Sequence, residues 1–238
     1  MEVQLGRRSV VWDVLREVLA ARAEQTGRDR LDVVDAGGGT GGFAVPLAAL
    51  GHSVTVVDPS PDSLAAAQRR AAEMDVRISA IQGEAAGLDS VAGEQTADLV
   101  ICHSVLEYVD SPADALAAIT RVLRPGGTVS VLAAGVVATV LHRALTGRFD
   151  EALALLEGDP VAAGPRRFTV GGLVALLEDA GLAPGAAHGA EIFGGLVPSA
   201  LVDADPGAAE SLRVLEAAAA TYPALRDIAA KLHVLGRR

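Results

Sequence analysis

The residues best placed for chemistry lie in Leu31–Gly42, LDVVDAGGGTGG. Asp35 is followed by Gly37, Gly38, Gly39, Gly41 and Gly42, five glycines within six residues. A second acid, Asp58, stands about 20 residues beyond the turn, the spacing at which a carboxylate accepts ribose hydroxyls. The glycines separate a short apolar run, Leu31–Val34, from an Ala/Leu-rich run, Phe43–Leu50. Strand, glycine turn and helix together let a backbone approach a nucleotide at a helix N-terminus. Glycine is required because a Cβ would meet the ligand and because the turn needs positive φ.

Two nucleotide patterns overlap here. Gly37-x-Gly39-x-x-Gly42 satisfies the dinucleotide fingerprint. Asp35-x-Gly37-x-Gly39-x-Gly41 satisfies the S-adenosylmethionine pattern. Asp58 serves either ligand, so Asp35 discriminates. A carboxylate beside a dinucleotide pyrophosphate would be repelled, whereas S-adenosylmethionine presents an ammonium and a sulfonium that it would stabilise. The plain alternative for Asp35 is an exposed acid at a strand end.

Around this turn the chain alternates strands and helices. An amphipathic helix over 7–24 precedes it, with Val11, Leu15, Val18 and Leu19 on one face and Trp12 as packing. Strands are expected at Leu31–Asp35, Ser53–Asp58, Val76–Gln82, Ala97–His103 and Thr128–Ala134. Helices are expected at Gly41–Leu50, from the opening Pro59-Ser60-Pro61-Asp62 through Met74, and from Ser111 to Leu123. Such alternation implies a parallel sheet with right-handed crossovers. Residues 136–168 break the rhythm with two short helices, Val137–Leu145 and Asp150–Glu157, and read as a cap over the sheet edge. Then come a helix at Thr169–Ala180 with Thr169 as N-cap, a sixth strand at Gly185–Leu196, a helix at Asp205–Ala220, and an antiparallel last strand at Lys231–Leu235. The expected architecture is α/β: a Rossmann-like, doubly wound, mostly parallel seven-stranded sheet with a helical cap insertion. It forms one domain, divided into an N-terminal helix (1–30), a cofactor-binding core (31–134), the cap (135–168) and a C-terminal part (169–238).

Composition narrows the functional classes. Of 238 residues half are apolar and 21% charged, as expected of a soluble globular chain. No apolar stretch is long enough to span a membrane, and no secretory leader is legible, so a cytoplasmic location is expected. The net charge of −10 argues against a broad nucleic-acid surface. The single cysteine, Cys102, excludes an internal disulfide and a thiolate cluster, and its apolar surroundings read as core. No cluster of His, Asp or Glu has metal-ligand spacing.

Three further segments join the glycine turn: Gln82–Ala86 (QGEAA), Asp98–Glu107 (DLVICHSVLE) and Val122–Gly127 (VLRPGG). In this order and at these spacings, residues 31–134 resemble class I S-adenosylmethionine-dependent methyltransferases. Arg7 five residues before Trp12, DAGGGTG, CHSVLEYV, VLRPGGTVSVL, LHRALTGRFDEAL, Ile192-Phe193 and the terminal LHVLGRR resemble a narrower group. These are the bacterial methyltransferases that esterify the carboxyl of 5-carboxymethoxyuridine in tRNA. The resemblance implies that Arg7 meets the methionyl carboxylate and that Gly37 and Gly38, with Gly39, line the methionine moiety. It further implies Asp58 on the ribose, Glu84, Ala85 and Ala86 around the adenine, and His103 near the methionine side. The tRNA enzymes tend to carry a basic residue two before the late Phe; here that position is Glu191.

Methyl transfer to a carboxylate needs no general base, whereas a hydroxyl acceptor does, with His103 and His142 as candidates. Arg143 and Arg148 are candidates for holding an anionic acceptor, and Glu107 and Tyr108 for lining its pocket. The expected activity is methyl transfer from S-adenosylmethionine, leaving S-adenosylhomocysteine, to a carboxyl or hydroxyl oxygen. The acceptor is a modified tRNA wobble uridine or a small molecule, and a homodimer is conceivable. The competing readings are a nicotinamide-dependent oxidoreductase, disfavoured by Asp35 and by the lack of a Tyr-x-x-x-Lys pair, and a non-catalytic module that binds the same cofactor.

Overall fold

The computed structural model describes residues 9–158, 164–203, 205 and 207–238. Seven strands form one sheet: β1 (Asp32–Ala36), β2 (Ser53–Asp58), β3 (Ser79–Gln82), β4 (Ala97–His103), β5 (Leu123–Ala134), β6 (Ala183–Ala190) and β7 (Lys231–Arg237). Their order is β3-β2-β1-β4-β5-β7-β6. β1 pairs in parallel with both β2 and β4, and β2 with β3. β7 runs against β5, since Gly126 N donates to Arg238 O and Gly135 N to Ala230 O. Ala230 N in turn donates to Glu191 O, and a Cβ on Gly185 would lie 3.4 Å from Leu235 Cβ, so β6 also opposes β7 and points the same way as β5. The expected parallel sheet with an antiparallel last strand is therefore present.

The central strands carry apolar runs because both faces are covered: Leu99–Cys102 is buried throughout. Helix α1 (Val10–Thr26) buries Val11, Trp12, Leu15 and Leu19. Helix α2 (Ala44–Ala49) follows the glycine turn. Helices α3 (Pro61–Glu73) and α5 (Pro112–Val122) start with the same device. Ser60 Oγ accepts from Ser63 N at 3.2 Å, and Ser111 Oγ from Asp114 N at 3.2 Å, each with proline in the first turn. Between them lie a 3₁₀ turn (Ala85–Gly87) and a short helix α4 (Leu88–Ala92). After β5 come α6 (Val136–Leu145) and α7 (Phe149–Leu156), the two helices expected there. Helix α8 (Val170–Asp179) has the expected cap, with Gly172 N donating to Thr169 Oγ1 at 3.0 Å. α9 (Ser199–Asp203), α10 (Ala208–Ala219) and α11 (Pro223–Arg226) complete the chain.

Several boundaries differ from the sequence reading for local reasons. β3 starts at Ser79 rather than Val76. β5 starts at Leu123 because the chain terminus pairs with the RPGG turn: Gly126 N donates to Arg238 O and Arg238 N to Gly127 O, both at 2.9 Å. β6 stops at Ala190 rather than Leu196 because Glu191 adopts φ +58°, which turns the chain out of the ladder.

The chain divides into two compact units. The glycine-turn unit comprises Glu17–Val131, Val174–Gly185 and Leu235–Arg238; the second holds the described residues up to Arg16, Leu132–Leu173 and Ala186–Val234. In the first, the amino ends of the strands are braced by ions. The fully buried Asp98 carboxylate takes Arg28 Nη2 at 2.7 Å, Arg124 Nη1 at 2.9 Å, Arg22 Nε at 3.1 Å and the Asp32 N–H at 3.1 Å. Burial alone would raise the Asp98 pKa, but the Asp32 N–H and the arginines outweigh it and hold the carboxyl below the usual range.

Candidate active site at the carboxyl ends of the strands

The parallel register brings the ends of β1, β2, β3 and β4 to one level: Asp35 lies beside Val56 and Ile101, and Asp58 beside Gln82. In open α/β sheets this edge is where ligands bind. The glycine turn crosses it. Gly37 N donates to Val57 O at 2.7 Å, and Gly41 N to Gly38 O at 3.0 Å. Gly37, Gly39 and Gly41 have φ of +69°, +53° and +77°. A Cβ on Gly37 would fall 2.4 Å from Val105 Cγ2, whereas one on Gly39 would meet nothing within 4 Å. The turn is therefore packed against Val105, just beyond β4, at Gly37 and open at Gly39.

Two carboxyls organise the turn in different ways. Asp58 Oδ2 accepts from Gly39 N and Oδ1 from Ser60 N, both at 2.9 Å. Each oxygen keeps a further lone pair, enough for a pair of vicinal hydroxyls. Asp35 lies beneath the turn, 3% exposed. A Cβ on Gly38 would come within 2.6 Å of Asp35 Cγ. Burial lifts its pKa to about 7; the Ala44 N–H opposes the shift and the Asp58 charge adds to it. Asp35 is thus a supporting acid under the loop, not the exposed strand-end acid of the plain alternative.

At the end of β4, His103 Nε2 and Ser130 Oγ form a 2.7 Å hydrogen bond. Phe43, the residue before α2, sets its ring edge-on to the imidazole with centroids 4.5 Å apart. Ser104 then adopts φ +56°, a costly conformation for a non-glycine residue at a sheet edge. The following turn buries Glu107 and leaves Tyr108 72% exposed. Glu84 is exposed, Ala85 buried and Ala86 exposed, beside β3. Cys102 is fully buried, and burial pushes its thiol up to about 12, so it is a core residue.

Residues 34–131 match the family model of the methyltransferase domain. Over that span the chain is similar to a methyltransferase domain. Its matched span contains Asp35, the glycine turn, Asp58, Glu84–Ala86, His103 and Ser130. It is 33% identical over 145 residues to tRNA 5-carboxymethoxyuridine methyltransferase of Escherichia coli K12, an alignment covering 60% of this chain and 54% of that protein. It is 32% identical over 111 residues to ubiquinone biosynthesis O-methyltransferase of Rickettsia conorii, covering 46% of this chain and 37% of that protein. The chain thus spans about half the length, or less, of these curated relatives. The fold is shared with magnesium protoporphyrin IX methyltransferase of Synechocystis PCC 6803, crystallised with bound S-adenosylhomocysteine. There the TM-score is 0.60 at 17% identity, covering 99% of this chain and 85% of that one.

Not every residue singled out from sequence belongs to the glycine-turn unit. Arg7 lies outside the described residues. His142, Arg143 and Arg148 belong to the second unit, on α6 and just before α7. His142 is exposed. Arg143 Nη1 and Arg148 Nε both pair with Glu151, at 3.0 and 2.5 Å, each through one nitrogen. Sequence reasoning missed Phe43, Val105 and Ser130. Phe43, one of four phenylalanines and directly after the turn, was the legible signal. Ser130 inside a strand gave none. Among the described residues no group of His, Cys, Asp or Glu is placed to hold a metal, and no helix is long and apolar enough to cross a membrane.

Proposed function

We propose that this protein transfers a methyl group from S-adenosylmethionine to an oxygen acceptor. The observation that carries the reading is the pairing of Gly39 with Asp58. The turn is open where a Cβ would project, and beside it stands a carboxylate held by two backbone N–H groups with lone pairs to spare. Asp58 would take the ribose hydroxyls, Gly37–Gly39 would lie along the methionine moiety, and Glu84–Ala86 would border the adenine. Asp35, under Gly38, would favour a cationic ligand over a pyrophosphate through its negative charge. When bound, the cofactor supplies an electrophilic sulfonium methyl group for in-line displacement by oxygen.

The protein's own contribution is alignment and, for a hydroxyl, proton removal. His103 is the candidate base. It stands at the carboxyl end of β4, whereas His52 precedes β2 at the other end. Ser130 and Phe43 fix its ring. A carboxylate acceptor would need only alignment, and the E. coli relative, named tRNA 5-carboxymethoxyuridine methyltransferase, keeps a modified tRNA uridine as the second reading.

Titration calorimetry tests the cofactor reading. S-adenosylhomocysteine should bind the wild type at about micromolar Kd, and Asp58→Ala should weaken it by roughly tenfold or more. No binding to the wild type, or the same binding to the variant, would overturn it. Incubation with labelled S-adenosylmethionine and either total tRNA or a panel of hydroxylated aromatic compounds separates the two acceptors by the product labelled.

A further inference from the structure

We propose that the glycine-turn unit holds a second binding site, for a small neutral polyhydroxylated molecule, at the amino ends of β1 and β2. The inference goes beyond the proposed methyl transfer and is independent of it. A strand covered on both faces reads as a continuous apolar run, and β2 does not. Its Val54 and Val56 are buried on one face, while Ser53 and Thr55 are half-buried on the other. The register sets Asp32 beside Ser53 and Val34 beside Thr55, so a carboxylate and two hydroxyls share that face. Helix α4, five residues and about 7.5 Å long, is too short to cover it. A cavity of about 260 Å³ lies there, lined by Asp32, Ser53, Thr55, Ile81, Val91 and Arg124 among others. Val57, next on that face after Thr55, and Val91 crowd Gly83, where a Cβ would lie 3.1 Å from Val57 Cγ1 and 3.3 Å from Val91 Cγ2. They stand between the cavity and the Asp58 edge.

The lining sets the chemistry of the ligand. Asp32 Oδ2 takes Arg124 Nη1 at 2.9 Å and Arg28 Nη1 at 3.4 Å, so both signs of charge are already paired at the cavity wall. A free anion would meet the Asp32 carboxylate, and a free cation the two guanidiniums. A neutral molecule bearing hydroxyls meets neither penalty. It can donate to Asp32 and accept from Arg124, since a carboxylate and a guanidinium each have capacity beyond one ion pair. Ser53 and Thr55 each offer a donor and an acceptor, and among the described residues neither hydroxyl has a hydrogen-bond partner. Ile81 and Val91 supply an apolar wall for the C–H face of a sugar ring. The volume lies just under the roughly 300–1,000 Å³ of small-molecule sites, which suits about a dozen non-hydrogen atoms, the size of a hexose.

The test is a D-glucose titration of the full chain, followed by NMR at the amides of Ser53, Thr55 and Ile81. These amides should shift saturably with a Kd of about millimolar, and the isosteric Thr55→Val should bind about fivefold more weakly. No saturable shift in the wild type, or equal affinity in the variant, would overturn the proposal. Should Thr55→Val fail to fold, Ser53→Ala serves, with the same expected loss. Sodium phosphate and glycine, an anion and a zwitterion, are titrated in parallel. Neither should bind as tightly as glucose, and tighter binding of either at these amides would overturn the proposal. S-adenosylhomocysteine added to the glucose-saturated protein should leave the glucose shifts in place. Their loss would put glucose at the Asp58 edge instead and would also overturn the second site.

Discussion

Gly38 lies directly over the Asp35 carboxyl, so that a methyl group added at residue 38 would overlap Asp35 Cγ at 2.6 Å and Val56 Cγ1 at 2.9 Å. The position is not strained in φ; what it lacks is room. Gly38→Ala should therefore cost about 2 kcal/mol of stability by overpacking and displace the loop enough to lower cofactor affinity. Gly42→Ala, with nothing within 4 Å and no positive φ, is the control and should leave both unchanged. Thermal melts and calorimetric titration of the two variants check this.

Asp35 also gives the protein a pH dependence. Burial is the main cause of its rise to about 7, from 3.8. An acid with a raised folded pKa adds no cost below the unfolded value and an increasing cost as pH climbs towards the folded one. Asp35→Asn should thus be more stable than wild type at pH 8, by up to ~4 kcal/mol, and lose the advantage towards pH 4. Binding runs the other way. A cation prefers the ionised form, so S-adenosylmethionine should bind more tightly at pH 8 than at pH 6 in the wild type, with a flatter profile in Asp35→Asn. Parallel titrations at both pH values read this out.

The strand–turn–helix core and the alternation of strands and helices follow from patterns that act over a few residues: apolar runs, glycine turns and Ser-Pro caps. Asp35 shows where such reading stops. Its type and position were legible, but its place beneath Gly38 depends on a close approach that no periodicity encodes. Likewise the sharing of the Glu151 carboxylate by Arg143 and Arg148 joins residues that the sequence reading treats separately. Glu191 was noted only for its charge. Its positive φ and the capture of the next three N–H groups by Glu216, over twenty residues away, are tertiary facts.

The ionic brace at the amino ends is structural. Removing the charge in Asp98→Asn leaves Arg22, Arg28 and Arg124 short of their shared partner and should cost about 3 kcal/mol. Because the folded pKa is depressed, the wild type keeps this stabilisation above pH 4 and loses it as pH falls through the folded value. Denaturant unfolding at pH 7 and at low pH should show the gap between the two proteins close on acidification.

Ser130→Ala separates positioning from binding. It removes the 2.7 Å bond to His103 Nε2 and should cost about 1 kcal/mol of stability. For a hydroxyl acceptor it should lower kcat more than it raises the KM for S-adenosylmethionine, because Asp58 and the glycine turn are untouched. A carboxylate acceptor should show little change in kcat, so steady-state kinetics on the two acceptor classes checks the assignment of His103.

A co-crystal structure with S-adenosylhomocysteine bears most directly on the whole account. The ribose hydroxyls should sit on the Asp58 carboxylate, with the homocysteine chain along Gly37–Gly39 and the sulfur on the His103 side. Density for the ligand elsewhere, or a diphosphate lying across Gly37–Gly39 in crystals grown with a dinucleotide, would contradict it.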